Sequence, residues 1–367
     1  MTDSLDRPAN DVCYSPGSKN FSEFKIFDYG TLLANAALDI GAIKLSPNVP
    51  VTWACGSRMP IYNDNRMLLS KPEYRAMIGH GLKQLIIRRK EYSDNDGTKF
   101  DCGGAELKYH SAEFDYIGAT PTAGIAPACL AAIATGKPLL LVHEDKSYVF
   151  DKECVESVLS GLMIPKEIDV VASSSPLGII PAIYLADKSG LPMIYVRKQK
   201  KDHGLEKRIE GVLLPGQKVF LLNYDMFGDE KGSPVRAICE DGGIIAGQFT
   251  SCDILRMGFS DISGKRVIMI EDLISTGGSS VKEALKVREK GAIVDYCLSI
   301  FNYDFEAARK AFSDENIKVD SIIYYPNLIE VASSSGKISD SELLMLKDWR
   351  VDPFGWGEKN GFPKVER

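Results

Sequence analysis

The 367-residue chain is predicted to be α/β, with a mostly parallel sheet, on three observations. Short apolar runs, "PLLLV" (138–142), "PMIYV" (192–196), "KVFLL" (218–222) and "RVIMI" (266–270), alternate with helical stretches such as "SSVKEALKVREKGA" (279–292). Unbroken apolar strands between helices mark a parallel sheet covered on both faces. The chain also repeats itself. Finally, one apolar strand runs straight into Glu271-Asp272 and a loop of small hydroxyl residues that opens a helix.

Each element has a reason, taken in chain order. Residues 1–20 read as a polar, irregular leader without the basic-then-apolar pattern of a signal peptide. "EYRAMIGHGL" (73–82) echoes "ECVESVLSGL" (153–162), and each is helical. The stretch 88–114 is polar and is assigned to no element. "DYIGATPTAGIAPACLAAIATGKPLLLV" (115–142) aligns without a gap to "DVVASSSPLGIIPAIYLADKSGLPMIYV" (169–196), at a constant offset of 54 residues. Asp115 pairs with Asp169, Gly124 with Gly178, Pro127 with Pro181, Gly136 with Gly190 and Pro138 with Pro192. Each copy reads strand, small-residue loop, helix, Gly stop, Pro, strand.

A weaker repeat follows. "GQKVFLLNYDMFGDEKGS" (216–233) aligns to "GKRVIMIEDLISTGGSS" (264–280). In the earlier copy the acidic pair has become Asn223-Tyr224, and the hydroxyl loop has become Asp225-Met226-Phe227-Gly228. The order is loop unit, loop unit, worn strand-loop, intact strand-loop. It suggests nesting, with an inner copy (147–250) set inside an outer one (21–146 and 251–367). Simple tandem order is the alternative, and it leaves the first unit without a second half.

The totals exclude several classes. A formal net charge of −6 gives no global field for nucleic acid or an anionic membrane. No apolar run approaches the ~20 residues that span a bilayer. The eight cysteines are scattered without close pairs, which argues against a zinc knuckle or a disulfide framework and for a reducing, cytoplasmic setting.

The intact turn carries the chemistry. A parallel strand leading through a small-residue loop to a helix N-terminus presents backbone N–H groups and the positive end of the helix dipole to an anion. Ser275, Thr276, Gly277, Gly278 and Ser279 allow close approach and add hydroxyl donors. Glu271 and Asp272 would repel a phosphate, so they are expected to hold sugar hydroxyls or to face Mg²⁺ chelated by the ligand's diphosphate. No lysine lies in the loop, so it is not a Walker loop. Elsewhere Arg197, Lys198, Lys200, Lys201 and His203 crowd into seven residues after a strand. Taken alone, they fit a solvated basic turn as well as an anion clamp.

"VIMIEDLISTGGSS" (267–280) resembles the phosphoribosyl-diphosphate motif of type I phosphoribosyltransferases, in its orotate phosphoribosyltransferase form. "YVRKQKKDHG" (195–204) with "IEG" (209–211) resembles that family's mobile catalytic loop, and "WACGSRMPIYNDNRMLLSKPE" (53–73) its N-terminal hood. "PNLIEVASSSGKISDSELLMLKDWRVDPFGWG" (326–357) resembles the C-terminal end of one bacterial branch. The resemblance implies a twisted, mostly parallel sheet with a small hood, here accompanied by a degenerate second copy of the core. It implies phosphoribosyl transfer from 5-phosphoribosyl 1-diphosphate to a pyrimidine, foremost orotate, with Mg²⁺ carried on the donor and no covalent nucleophile. By position it makes Lys201, His203 and Asp272 catalytic. It assigns donor contacts to Arg197, Lys198, Glu271, Leu273, Ile274 and the 275–279 loop, and to Thr120, Thr122 and Gly124 of "GATPTAG" (118–124). Arg58 and Tyr62 are its hood contacts, while Cys55 stands where Ser is usual. Lys200 matches no contact, and His203 can act as imidazolium or as a neutral N–H donor.

The outer copy keeps the phosphoribosyl loop and hood but has only "HEDKSYVFD" (143–151) where its own mobile loop belongs; the inner copy has the reverse. In enzymes resembling this family, each subunit's mobile loop commonly reaches its neighbour's site. The expectation is a pseudo-dimer within one chain with one live site, with pairing of whole chains left open. Transfer to another base and a donor-binding regulator without turnover remain the alternatives. The regulator has no use for Lys201 and His203.

Overall fold

The computed structural model describes residues 26–53, 55–91, 114–143, 146–197, 208–223, 233–250 and 260–365. Lys198, Lys201 and His203 lie outside them, as do Tyr224–Gly228 and most of 88–114. Among the described residues no helix is long and apolar enough to cross a membrane.

The first part of the chain is a small cap. Helix α1 (Ile26–Asp39) leads to two antiparallel pairs, β1 (Ile43–Leu45) with β4 (Ile61–Asn63) and β2 (Val51–Thr52) with β3 (Arg58–Met59). A 3-10 turn (Asn65–Ser70) then passes into the long α2 (Pro72–Glu91). An aromatic cluster fastens the cap: Trp53 meets Tyr303 at 5.5 Å between ring centroids, and Tyr303 meets Trp349 at 5.7 Å. Such tilted and edge-on contacts add to simple apolar burial.

Two units follow. Residues 114–150 give β5 (Tyr116–Ala119), α3 (Ile125–Thr135), β6 (Leu139–His143) and β7 (Lys146–Phe150). Residues 152–250 give α4 (Lys152–Ser160), β8 (Val170–Ser173), α5 (Pro176–Ser189), β9 (Met193–Val196), β10 (Ile209–Glu210), β11 (Lys218–Asn223), α6 (Pro234–Glu240) and β12 (Ile244–Thr250). The chain then returns with β13 (Arg266–Ile274), α7 (Gly278–Glu289), β14 (Ile293–Asn302), α8 (Glu306–Asp314) and β15 (Lys318–Tyr324). Helices α9 (Tyr325–Ser334), α10 (Asp340–Val351) and α11 (Trp356–Lys359) close it.

The strands of these units form two sheets, one from residues 170–250 and one from the two stretches that flank them. The six-stranded sheet has the order β15-β14-β13-β5-β6-β7, and the five-stranded sheet the order β12-β11-β8-β9-β10. In each the interior pairs are parallel, and only the last strand, β7 or β10, is antiparallel. The placing of a boundary at 146/147 therefore needs correction, because it cuts into β7, which pairs with β6 through Phe150.

The two sheets agree residue by residue. β13 sets Val267 against Tyr116 and Ile270 against Ala119, and β11 sets Val219 against Val170 and Leu222 against Ser173. Both central strands shift register at one place, between Val267 and Ile268 and between Val219 and Phe220. The Asp115 carboxylate accepts from Arg266 N at 2.8 Å, and the Asp169 carboxylate accepts from Lys218 N at 2.7 Å. Helices α3 and α5 end on Gly136 (φ +71°) and Gly190 (φ +68°), in a left-handed turn that glycine adopts without a Cβ clash. Among the described residues, only β15 lacks a counterpart in the five-stranded sheet.

The units meet through α3 and α5, whose buried apolar residues belong to one continuous core. Arg75 of α2 crosses this junction fully buried. Its guanidinium donates to Leu69 O at 2.7 Å and to Ala186 O and Leu191 O, both at 2.8 Å, at the end of α5 and just beyond it. Burial pulls its pKa down to about 10, still far above neutrality, so the cation stays charged on those carbonyls.

Candidate active site

The turn after β13 has the form expected of an anion site, with one correction. The strand does not end at the carboxylates: it runs on to Ile274, pairing Glu271 with Ser299 and Ile274 with Asn302 on β14. Ile274 is buried in the core beneath α7, so its side chain is not available to a ligand. The turn proper is Ser275–Gly277, and α7 starts at Gly278, aiming its first N–H groups at the mouth.

Glu271 and Asp272 are adjacent near the end of β13, and their carboxylates lie within hydrogen-bonding reach of one another. Glu271 is buried and already partnered: Oε1 accepts from Asp272 N at 3.0 Å, and Oε2 accepts from Ser280 Oγ at 2.9 Å on the first turn of α7. Burial first, then the neighbouring Asp272 charge, pushes its pKa up. Asp272 is also raised by burial, but Arg66 opposes the shift. A hydrogen bond with Glu271 and, after it, the Arg66 charge favour the ionised form of Asp272. Glu271 tethers the helix to the strand, and the Asp272 side chain is half-buried beside it.

The cap supplies the wall beside Asp272. Asn65 Nδ2 donates to Asp272 O at 2.8 Å, and Tyr303 is buried close enough to feel the Asp272 charge. Arg66 Nε donates to Asp64 Oδ1 at 2.8 Å, and its Nη1 lies 2.6 Å from Glu210 Oε2. Glu210, on β10 of the other sheet, also accepts from Arg197 Nε. Of the cationic stretch, Arg197 is the described member, and this chain of ion pairs joins it to the wall beside Asp272.

The second loop is placed beside the first. Thr120–Gly124 leaves β5 next to β13, through a cis peptide between Pro121 and Thr122. Thr120 is buried and donates its hydroxyl to Ile270 O at 3.1 Å, so it holds the loop to β13 where a ligand contact had been expected. A Cβ on Gly124 would lie 2.1 Å from Thr120 Oγ1 and 2.6 Å from Ile270 O, so only glycine fits there. In the hood, Arg58 Nη1 donates to Thr52 Oγ1 at 3.2 Å across the β2–β3 pair. Burial first, then Asp64, raises the Tyr62 phenol to about 12, so it remains a neutral donor.

Asn65, Arg66, Glu210, Ser280 and Tyr303 were not assigned from the sequence. Asn65 and Arg66 belong to "NDNR" beside Tyr62, and Glu210 to the quoted "IEG". Apart from Ser280, which is nine residues from Glu271, each pairs with a residue far away in the chain, so no local period announces it.

A strand, an open hydroxyl turn and a helix N-terminus, with an acidic pair before the turn, on a mostly parallel α/β sheet, resemble the arrangement of type I phosphoribosyltransferases. Within that class the likeness is to orotate phosphoribosyltransferases. The chain is 28% identical over 325 residues to the one from Lactiplantibacillus plantarum, covering 89% of this chain and 95% of that protein. It is 28% identical over 325 residues to that of Cutibacterium acnes, covering 89% and 94%. Solved orotate phosphoribosyltransferases overlap it loosely. The Francisella tularensis structure gives a TM-score of 0.41 at 12% identity, covering 87% of this chain and 98% of that one. The Aeropyrum pernix structure gives 0.37 at 13%, covering 81% and 97%. No family model matches the chain.

Proposed function

We propose that this chain transfers the phosphoribosyl group of 5-phosphoribosyl 1-diphosphate to orotate, releasing orotidine 5'-phosphate and diphosphate. The observation that carries the reading is the β13–α7 turn, where Glu271 tethers the helix, Asp272 lies near the Arg66 cation and residues 275–277 lead into the helix N-terminus. Sequence likeness along 89% of the chain to proteins named for this reaction supports it. The donor's 5-phosphate occupies the turn and its ribose hydroxyls bond Asp272. The bond from the anomeric carbon to the diphosphate breaks, and a pyrimidine nitrogen bonds that carbon. The protein's contribution is positioning and charge stabilisation.

Mg²⁺ fits this arrangement as a passenger of the donor. It is usually held by one or two carboxylates together with substrate phosphates. Asp272 suits that role, whereas both Glu271 oxygens are occupied. When bound, the ion neutralises charge on the leaving diphosphate.

We propose further that residues 151–250 are a worn copy of the unit around them, and that the two form a pseudo-dimer with one live site. The shared strand order, register and register shift support a nested duplication. The Arg197–Glu210–Arg66 pairs support delivery of the cationic stretch from the inner copy to the outer site. Lys198, Lys201 and His203 then act on the diphosphate.

The test is steady-state turnover with donor, Mg²⁺ and a panel of orotate, uracil and purine bases. Orotidine 5'-phosphate is the expected product. Product from another base alone moves the acceptor, and donor binding without any product sinks the enzymatic reading.

A further inference from the structure

Glu210 is the point where the two copies meet at the site. Its carboxyl is 5% exposed, a costly place for a charge unless cations accompany it. Two do. Arg197 Nε donates to Oε1, and Arg66 Nη1 lies 2.6 Å from Oε2. Arg197 comes from the end of β9 in the five-stranded sheet, and Arg66 from the cap of the six-stranded one. Each arginine is further held on its own side. Arg197 N donates to Arg208 O at 2.8 Å and Arg208 Nε returns a bond to Arg197 O at 3.2 Å, which closes the hairpin stem. Arg66 Nε is bound to Asp64 Oδ1 at 2.8 Å, and its neighbour Asn65 grips the Asp272 carbonyl at 2.8 Å. The path from Asp272 to the stem is therefore continuous, and Glu210 is its only anionic link between the two arginines among the described residues.

We propose that Glu210 is a positioning residue of the active site: by bridging Arg197 and Arg66 it fixes the stem that brackets the cationic stretch against the wall beside Asp272. The proposal rests on the phosphoribosyl-transfer reading. Glu210 touches no reacting atom in it. Its charge keeps two arginines, contributed by different copies, at one separation. Without that charge the guanidiniums repel, and the stem moves off the wall. Misplacement of about 1 Å can cost about a hundredfold in rate.

Two substitutions separate positioning from packing. Glu210→Gln keeps the volume and removes the charge, and Glu210→Asp keeps the charge and shortens the side chain. Glu210→Gln is expected to lower kcat about a hundredfold with little change in KM for the donor, the signature of lost transition-state alignment. Glu210→Asp is expected to retain more of kcat than Glu210→Gln. Hydrogen exchange provides a readout independent of turnover: amides of 193–197 and 209–211 should exchange faster in Glu210→Gln, while those of β8 and β11 stay protected. Wild-type kcat in Glu210→Gln, unchanged exchange in the stem, or a better Gln than Asp variant overturns the proposal. A wild-type chain inactive with every base overturns the reading beneath it, and the exchange experiment still decides the role of Glu210.

Discussion

The turns after β13 and after β11 begin alike and end differently. Val267–Ile270 and Val219–Leu222 share their register with the neighbouring strand, and both shift at the same step on the other side. The next two residues are Glu271-Asp272 in one and Asn223-Tyr224 in the other. After β13 the Glu271 carboxylate holds a helix and the Asp272 backbone carbonyl holds the cap. After β11 the chain reaches α6, a helix of 7 residues against the 12 of α7, capped by Ser233. The strand pairing is alike in both places, because it needs only apolar residues at alternate positions. The chemistry has survived in one, because it depends on a few residues that the core does not need.

The largest effects should come from breaking that asymmetry. Asp272→Asn is expected to lower turnover about 10²- to 10³-fold while leaving the fold intact, and Lys201→Ala similarly. Mixing the two variants asks where the two halves of the site meet. If one chain supplies both, the mixture stays as inactive as its parts. Recovery of activity on mixing would mean that the cationic stretch serves a second chain, and the single-chain pseudo-dimer would fall.

Next in size is the junction between copies. Arg75→Met removes the donor for Ala186 O and Leu191 O and leaves buried carbonyls unpaired. The expected loss is about 2–4 kcal/mol in urea denaturation. Retained kcat per folded molecule would assign Arg75 to the joint alone.

Much of this was legible in the sequence, and the limits follow from distance along the chain. The strands announced themselves as apolar runs, the helix ends as Gly136 and Gly190, and the repeat as a fixed offset between Asp115 and Asp169. The Glu271-Asp272 motif was visible because its residues are adjacent. Their division of labour was not, since it depends on Ser280 from the next helix and on Arg66 from 206 residues earlier. The Thr120 hydroxyl also donates to Ile270 O, a partner 150 residues away that the local motif does not reveal. Glu210 stood in a quoted motif without a role, since the need for it arises only when two arginines from different copies approach.

A smaller effect compares matched glycines. A Cβ at Gly124 would lie 2.6 Å from Ile270 O, and at Gly178 it would lie 3.0 Å from the matching Leu222 O. Both alanine variants should lose about 1–3 kcal/mol, Gly124→Ala the more, from forced backbone shifts. Only Gly124→Ala should also reduce kcat measured on the folded fraction, because only its loop borders the live turn. Equal kinetic penalties would give the inner loop a share in catalysis.

The smallest effect is a slope, and it concerns the carboxylate that aligns with Asn223. Burial and Asp272 raise the Glu271 pKa in the folded chain above its unfolded value. The folded form therefore binds this proton more tightly. The stability associated with it is fully present below the ordinary Glu value of about 4.3 and drains as pH rises through the folded value. Glu271→Gln keeps an acceptor for Ser280 Oγ or Asp272 N and cannot ionise. Above about pH 4.3 its unfolding free energy should fall less steeply than that of the wild type, by up to about 1.4 kcal/mol per pH unit inside the window. Urea titrations at stepped pH read this difference. Parallel profiles would mean that Glu271 ionises as an ordinary surface carboxylate does, and that the neutral tether between β13 and α7 is not what distinguishes the live turn from its worn counterpart.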